Sequence, residues 1–301
     1  MDGNSEKTKP FGEKFSSWYD KYYLFLLCIP FLLTLFSVGY IYSIYHQTGD
    51  FFFKDITLSG GTSVTVQGDI SSDVESQLYA QFPDINLRKL TNIQTGAVSS
   101  FTVETSAPPE SIKPFLEKVL GYILDEKNSS TEFTGPTLSS NFYRQLITAL
   151  LVSFLLMSIV VFFLFRTIVP SMTVIFAAFS DILMTIALVD FIGMKISAAG
   201  IAAFLMLVGY SVDTDILLTS RAVKRREIPL NQRIYGAFKT GLLMTLTALI
   251  AVIPIFFVSS GIPDSFRQIF FILGIGLFAD ILSTWLTNAS LIKLYCERNN
   301  I

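Results

Sequence analysis

The sequence predicts a polytopic α-helical membrane protein: six transmembrane helices, with one extracytoplasmic α+β domain of ferredoxin-like type between the first and second spans. Three observations lead there. The 301-residue chain is 51% hydrophobic and only 15% charged, with a mean hydropathy of +0.54, too apolar for a soluble domain of this size. Six apolar runs reach the ~20 residues needed to cross ~30 Å of hydrocarbon. Between the first two runs, residues 46–141 turn polar and rich in Ser and Thr.

Residues 1–21 are a polar segment in which Lys7, Lys9, Lys14 and Lys21 are balanced by acids. The first run, 22–45, is longer than a signal-peptide core and lacks an Ala-x-Ala site, so it reads as a retained anchor. Tyr19, Tyr22 and Tyr23 at one end and Tyr40, Tyr42 and Tyr45 at the other have the character of interfacial belts.

Within 46–141, residues 56–67 alternate with period two after their glycines and predict a strand with a kink or bulge. Ser71-Ser72-Asp73 caps a helix through Gln81, limited by Pro83. Residues 85–91 and 98–105 predict two strands joined by residues 92–96. Pro108 and Pro109 open a second helix to about Leu124, and residues 131–133 make a last short strand. The order β-α-β-β-α-β is that of a split βαβ domain. Asn128-Ser129-Ser130 matches a glycosylation triplet, a pattern common by chance.

Five more spans follow at 142–165, 168–192, 196–220, 237–260 and 266–295, so residues 142–296 hold spans two to six. Pro170 suits a first helical turn and Pro254 predicts a kink. Lys and Arg concentrate on one side: the N-terminal lysines, Arg166, the basic loop 221–236 with Lys239, Lys293 and Arg298. Only Lys195 and Arg267 fall in the opposite short loops. The positive-inside rule then puts both termini, including residues 297–301, in the cytoplasm of a cell-membrane protein and residues 46–141 outside.

The chemistry points to acids inside the spans. Asp213 and Asp215 lie in an apolar run that empties into Arg221, Lys224, Arg225 and Arg226. A carboxylate near the bilayer centre costs at least ~2.5–3.5 kcal/mol on insertion scales and marks a paired or water-lined site. Asp181 and Asp280 fall near mid-depth of the third and sixth spans, whereas Asp190 sits near an outer end and reads as interfacial. Two residues are ~200° apart around a helix, so Asp213 and Asp215 cannot face one pathway. One faces a conduction route or partner and the other pairs with a neighbour. A polar pair that only bonds neighbouring helices is the plainer alternative. Gly209, Gly236, Gly241, Gly274 and Gly276 read as close-packing positions. Cys28 and Cys296 have no metal-type spacing and His46 sits at a membrane edge, so neither metal nor cofactor is expected. The net charge of −2 without a basic domain gives no sign of nucleic acid.

Four segments stand out in order. Asp55-Ile56-Thr57-Leu58-Ser59-Gly60-Gly61-Thr62 follows the first span and Gly135-Pro136-Thr137-Leu138 enters the second. Gly209-Tyr210-Ser211-Val212-Asp213 with Arg221 lies in the fourth, and Thr245-Leu246-Thr247-Ala248-Leu249 in the fifth. Together they resemble the SecF family, the smaller membrane component of the SecDF protein-export complex in the resistance-nodulation-division superfamily. Bacterial members commonly read Gly-Tyr-Ser-Val-Asn-Asp-Thr at the third segment, so their acid falls between Asp213 and Asp215. The sister subunit SecD places its acid after the valine, which favours Asp213. Lys239 stands near the arginine with which bacterial members enter the fifth span, and Asp-Thr-Asp resembles archaeal members. The resemblance implies an auxiliary role in late preprotein translocation. The implied partners are a separate SecD subunit, a SecY-type channel, unfolded polypeptide in transit and membrane lipid. Proton flow through interface carboxylates would supply the drive. Three other functions compete: an independent superfamily transporter of lipids or small hydrophobic molecules, an intramembrane aspartyl protease using two membrane aspartates, and a structural scaffold. The protease reading lacks its Gly-x-Gly-Asp motif.

Overall fold

The computed structural model describes residues 11–91, 98–224, 227–257 and 264–301. The predicted connection at 92–96, Lys7, Lys9, Arg225, Arg226 and the predicted end of the fifth span at Ser260 lie outside these residues.

Among the described residues, six helical stretches are long and apolar enough to span a membrane: Lys21–Thr48, Pro136–Phe165, Ile168–Phe191, Ala198–Lys224, Leu230–Pro254 and Phe266–Arg298. They belong to α1 (Phe11–Thr48), α5 (Pro136–Phe165), α6 (Ile168–Phe191), α7 (Ala198–Lys224) and α8 (Leu230–Phe257). The sixth is composite: α9 (Asp264–Leu282), a π-helical segment Ser283–Asn288, and α10 (Ala289–Arg298). The second span begins earlier than expected, because Pro136 follows Gly135 as a ready first helical residue. Arg166 (φ 53°) ends α5 in the left-handed region, and α6 starts after Thr167.

The spans are not equivalent. The most apolar windows of α6, α7 and the sixth span are 61, 56 and 50% buried, against 17% for α1 and 6% for α5. Burial inside the protein therefore falls on the helices that carry aspartates. Ile182, Val189, Ile201, Phe204, Leu207, Val208, Ile272 and Leu273 make their shared core. The side chains of α1 and α5 instead point outward, among them Phe25, Phe36, Leu151 and Phe163.

Between α1 and α5 the chain forms a four-stranded antiparallel sheet, β1 (Gly61–Gln67), β2 (Asn86–Thr91), β3 (Val98–Thr105) and β4 (Ser129–Thr134), in the order β2-β3-β1-β4. The helices α3 (Ser72–Gln81) and α4 (Pro109–Leu120) follow β1 and β3. Alternation places Val64 and Val66 of β1 opposite Val103 and Phe101 of β3. Leu78, Ile112 and Leu116 complete a core whose members are all buried. At 25 cal/mol per Å² of apolar surface this burial is the main favourable term for the small domain.

Two expectations change. Residues 56–59 are not strand but one helical turn, α2 (Ile56–Ser59), because the Asp55 carboxylate accepts from the Ile56 N–H at 2.6 Å. Gly60 (φ 85°) then redirects the chain into β1. The second domain helix stops at Leu120 rather than near Leu124, since Gly121 adopts φ 79° and caps it. Asn128 braces a turn: its Oδ1 accepts from Asp125 N at 2.8 Å and its Nδ2 donates to Ile123 O at 2.9 Å.

Candidate functional site

Asp181 of α6, Asp215 of α7 and Asp280 of α9 are each 0% exposed and meet within one shell of hydroxyls. Asp181 accepts from Ser211 through Oδ2 and from Ser283 through Oδ1. Thr214 Oγ1 faces both oxygens of Asp280 at 3.1 and 3.2 Å. Thr284 Oγ1 lies 2.9 Å from Asp215 Oδ1 and 3.0 Å from Asp280 Oδ1, so one hydroxyl joins two of the acids. Asn288 Nδ2 donates to Asp215 Oδ1 at 2.7 Å. Among the described residues no lysine or arginine forms an ion pair with the three carboxylates. Asp215 Oδ2 and Asn288 Oδ1 are buried with no hydrogen-bond partner among those residues.

Local structure explains the convergence. Ser211, Thr214 and Asp215 share the buried face of α7, spaced by three and one residues, with Leu207, Val208 and Leu218 above and below. The π-helical segment widens the sixth span where it passes these residues, burying Ser283, Thr284, Thr287 and Asn288 together. Such π segments recur at functional positions in helices. None of the hydroxyl or amide partners was singled out by acid-based reading of the sequence. Their available signal was the polar pair-and-pair pattern Ser283-Thr284 and Thr287-Asn288 inside an otherwise apolar span.

Asp213 stands apart. It is exposed on α7, in line with the outward Met206 and Tyr210, and Gly209 has nothing within 4 Å of its Cβ direction. Gly209 therefore makes no close approach within this chain. Gly241 and Gly276 are: a Cβ there would lie 2.5 Å from Trp285 and Leu207 respectively. With Ile216, Leu217, Ser220, Arg221, Lys224 and Met244, Asp213 lines a groove of about 560 Å³. Arg221 is held at its edge by donating to Gly236 O at 2.7 Å and Thr240 Oγ1 at 2.9 Å. Lys239 is exposed on α8 and takes part in no ion pair with the acids among the described residues.

The glycines of the first family segment have a separate task. A Cβ on Gly60 would lie 2.7 Å from Pro136 Cα, and one on Gly61 (φ 138°) would collide with Thr105 O. Thr62 Oγ1 donates to Ala107 O at 2.6 Å. Gly60 thus lets the two roots of the sheet domain pack together, while Gly61 and Thr62 fix the start of β1 against the end of β3. Asp190, in the last turn of α6, is 3% exposed and accepts from Phe53 N at 2.8 Å, so its carboxylate is held inside the protein.

The profile of the family described as protein export membrane protein SecD/SecF, C-terminal, matches residues 116–298. A protein-export membrane protein SecF from Methanolacinia petrolearia is 35% identical over 274 residues, 91% of this chain and 94% of that protein. One from Pyrococcus furiosus is 35% identical over 278 residues, 91% of each chain. Among solved structures, SecDF from Thermus thermophilus, described as a translocon-associated membrane protein, superposes with a TM-score of 0.72 at 18% identity. That match covers 92% of this chain and 38% of that one, so it bears on the fold. Six spans, a sheet domain after the first, and full-length relatives above 30% identity lead to one assignment: the chain belongs to the SecF family of protein-export membrane proteins.

Proposed function

We propose that this protein works with a SecD subunit to promote late preprotein translocation, drawing on the proton gradient through the buried acid cluster. The sheet domain, of ferredoxin-like topology, lies outside the cytoplasm in this reading. Both termini and the basic loop between α7 and α8 lie inside, in the cell membrane. There the domain acts on unfolded polypeptide leaving a SecY-type channel.

The observation that carries the reading is the enclosure of Asp181, Asp215 and Asp280 by hydroxyl and amide groups, with no ion pair to a cation among the described residues. Three unpaired negative charges in a low-dielectric interior would be prohibitively costly. Such a cluster holds protons, and serine and threonine hydroxyls can pass them because each both donates and accepts. One charge crossing 100 mV releases ~2.3 kcal/mol, enough to bias two domain positions against each other. Asp213 and its groove, on the opposite face of α7 from Asp215, supply a separate outer route facing SecD, with Lys239 offsetting negative charge near the inner boundary.

Export into inverted membrane vesicles, measured with and without a proton gradient, tests this. Asp215→Asn should copurify with SecD at normal levels yet lose the gradient-dependent part of export, and Asp213→Asn should do the same. Lys239→Met should weaken it. Full gradient-dependent export by Asp215→Asn would remove the cluster from the mechanism; full export by Asp213→Asn would remove the outer route.

A further inference from the structure

We infer that Asp190 and Gln268 are positioning residues that lock the root of the sheet domain to the acid-bearing helices, so that movement of those helices reaches the domain. This deepens the proposed coupling and rests on it.

The root does not hang on a free linker. Phe53 O accepts from Ile196 N at 2.7 Å and Asp55 N donates to Ile196 O at 3.0 Å, a parallel bridge between the chain leaving α1 and the turn joining α6 to α7. Ala198, the first residue of α7, donates its N–H to Thr57 Oγ1 at 3.1 Å. Asp190, near the end of α6, takes the Phe53 N–H. From α9, Gln268 grips the same turn with both ends of its amide. Oε1 accepts from Ser197 N at 3.0 Å and from Ser197 Oγ, while Nε2 donates to Lys195 O at 2.6 Å. A Cβ at Gly200 would lie 2.9 Å from Gln268 Oε1, so glycine lets α7 approach this grip.

Burial separates this arrangement from an ordinary surface turn. Asp190, Ile196, Ser197 and Gln268 are 3, 0, 3 and 7% exposed. A buried amide beside Ile196 and Ile272 is unfavourable unless its groups are bonded, and here they are. The three helices that hold the bridge in place, α6, α7 and α9, are those that carry Asp181, Asp215 and Asp280. A shift of α7 or α9 driven at the acids therefore carries Ile196, and with it residues 53–57. On the exit side, Gly60 packs on Pro136 and Phe52 meets Tyr143 edge-on at 6.1 Å, which closes the alternative of hinging about a loose second root.

The test uses the full chain with its SecD-type partner in liposomes, with Cys28 and Cys296 replaced by Ala. Spin labels are placed at the exposed positions Gln47→Cys on α1 and Glu126→Cys in the domain. Pulsed electron resonance reads the distance between them with Asp215 intact and as Asp215→Asn. The distance should shift on Asp215→Asn, and the shift should be lost in Gln268→Met and Asp190→Leu but kept in Asp190→Asn, which retains the acceptor for Phe53 N–H. Copurification and melting temperature are followed in parallel, since a merely structural role would move those and leave the shift. A shift that survives both Gln268→Met and Asp190→Leu overturns the lock while leaving coupling intact. Loss in Asp190→Asn equal to that in Asp190→Leu overturns the positioning role of Asp190 in favour of its charge. No shift on Asp215→Asn in the parent chain overturns the coupling reading and this inference with it. Should Gln268→Met fail to assemble, the Asp190 pair decides alone.

Discussion

Replacing Gly60 with Ala should open the junction where the sheet domain enters and leaves the membrane helices. Two penalties add at this position. The backbone at φ 85°, ψ 154° lies in territory that costs a residue with a side chain about 1–3 kcal/mol. The new methyl carbon would also lie 2.7 Å from Pro136 Cα and 3.0 Å from Pro136 N, both main-chain atoms that no rotamer change can move. Pro136 opens α5, whose Ser139 is fully buried one turn later, so relief requires displacing a whole span. Together these give a local loss of about 3 kcal/mol or more, at the upper end of ordinary substitutions. At 1.4 kcal/mol per tenfold, that is on the order of 100-fold more frequent opening. Two alanine controls isolate the terms. Gly68 (φ 109°) has nothing within 4 Å and bears the backbone term alone, whereas Gly135 has neither a positive φ nor a neighbour. Hydrogen exchange with mass spectrometry over residues 55–62 and 135–139 reads the opening directly. Gly60→Ala should exchange fastest, Gly68→Ala should change only its own turn, and Gly135→Ala should match the parent. Equal protection in Gly60→Ala and Gly135→Ala would refute the junction argument.

Three further outcomes follow from particular contacts. Arg88→Met strips the guanidinium from Glu104, whose side chain is 4% exposed, and leaves only Asn86 Nδ2 at 2.9 Å. Because Arg88 is itself 36% exposed, the loss should be about 2 kcal/mol, below the 3–5 kcal/mol of fully enclosed pairs, with Arg88→Met/Glu104→Gln recovering most of it in urea titrations. For Asp84, burial pushes the carboxyl up, but hydrogen bonds from the Ser106 side chain and backbone and from Thr105 outweigh it and hold the group below its ordinary range. Its folded value is the lower one, so its contribution is complete above the unfolded value of about 3.9 and fades as pH falls through the folded value. Asp84→Asn should therefore flatten the acid limb of domain protection measured by exchange at low pH. Gly241→Val would drive atoms into the Trp285 ring, 2.5 Å from a Cβ, and should lower the melting temperature by the several degrees that ~1–3 kcal/mol of overpacking produces; an unchanged melt would show that the ring can move aside.

How far the sequence could be read depended on whether an effect is local. Apolar runs of spanning length have one physical interpretation, and the Val64/Val66 and Phe101/Val103 alternation has one face to bury. The separation of Asp213 from Asp215 follows from helix geometry alone, and the structure has one exposed and the other fully buried. What stayed hidden was non-local or irregular. Ser283, Thr284 and Asn288 turn together only because the sixth span widens, which a 3.6-residue period does not encode. The bond that Asp190 accepts stayed hidden because its donor is a backbone N–H 137 positions away. Residues 56–59 passed for strand because the Asp55 cap that makes them helical competes with an alternation that begins only after Gly60.

The two aspartates of α7 also bear on what surrounds the protein. An exposed carboxylate in a spanning helix costs at least ~2.5–3.5 kcal/mol against hydrocarbon. Asp213 is exposed, with no ion pair among the described residues, and Met206 and Tyr210 extend its stripe along the helix. Arg221 and Lys224 line the same groove, and Arg221 donates to Gly236 and Thr240; among the described residues neither forms an ion pair with Asp213. Lipid tails cannot satisfy that surface. A protein face can, by presenting a donor to Asp213 and apolar side chains to Met206 and Tyr210. The covered helix would then be α7, the same one whose inner face holds Asp215 and whose first residue is bonded to the root of the sheet domain. In the proposed assembly a single helix thus touches the partner, the proton-holding cluster and the domain. That arrangement is the one the proposed coupling calls for, with one helix reaching all three.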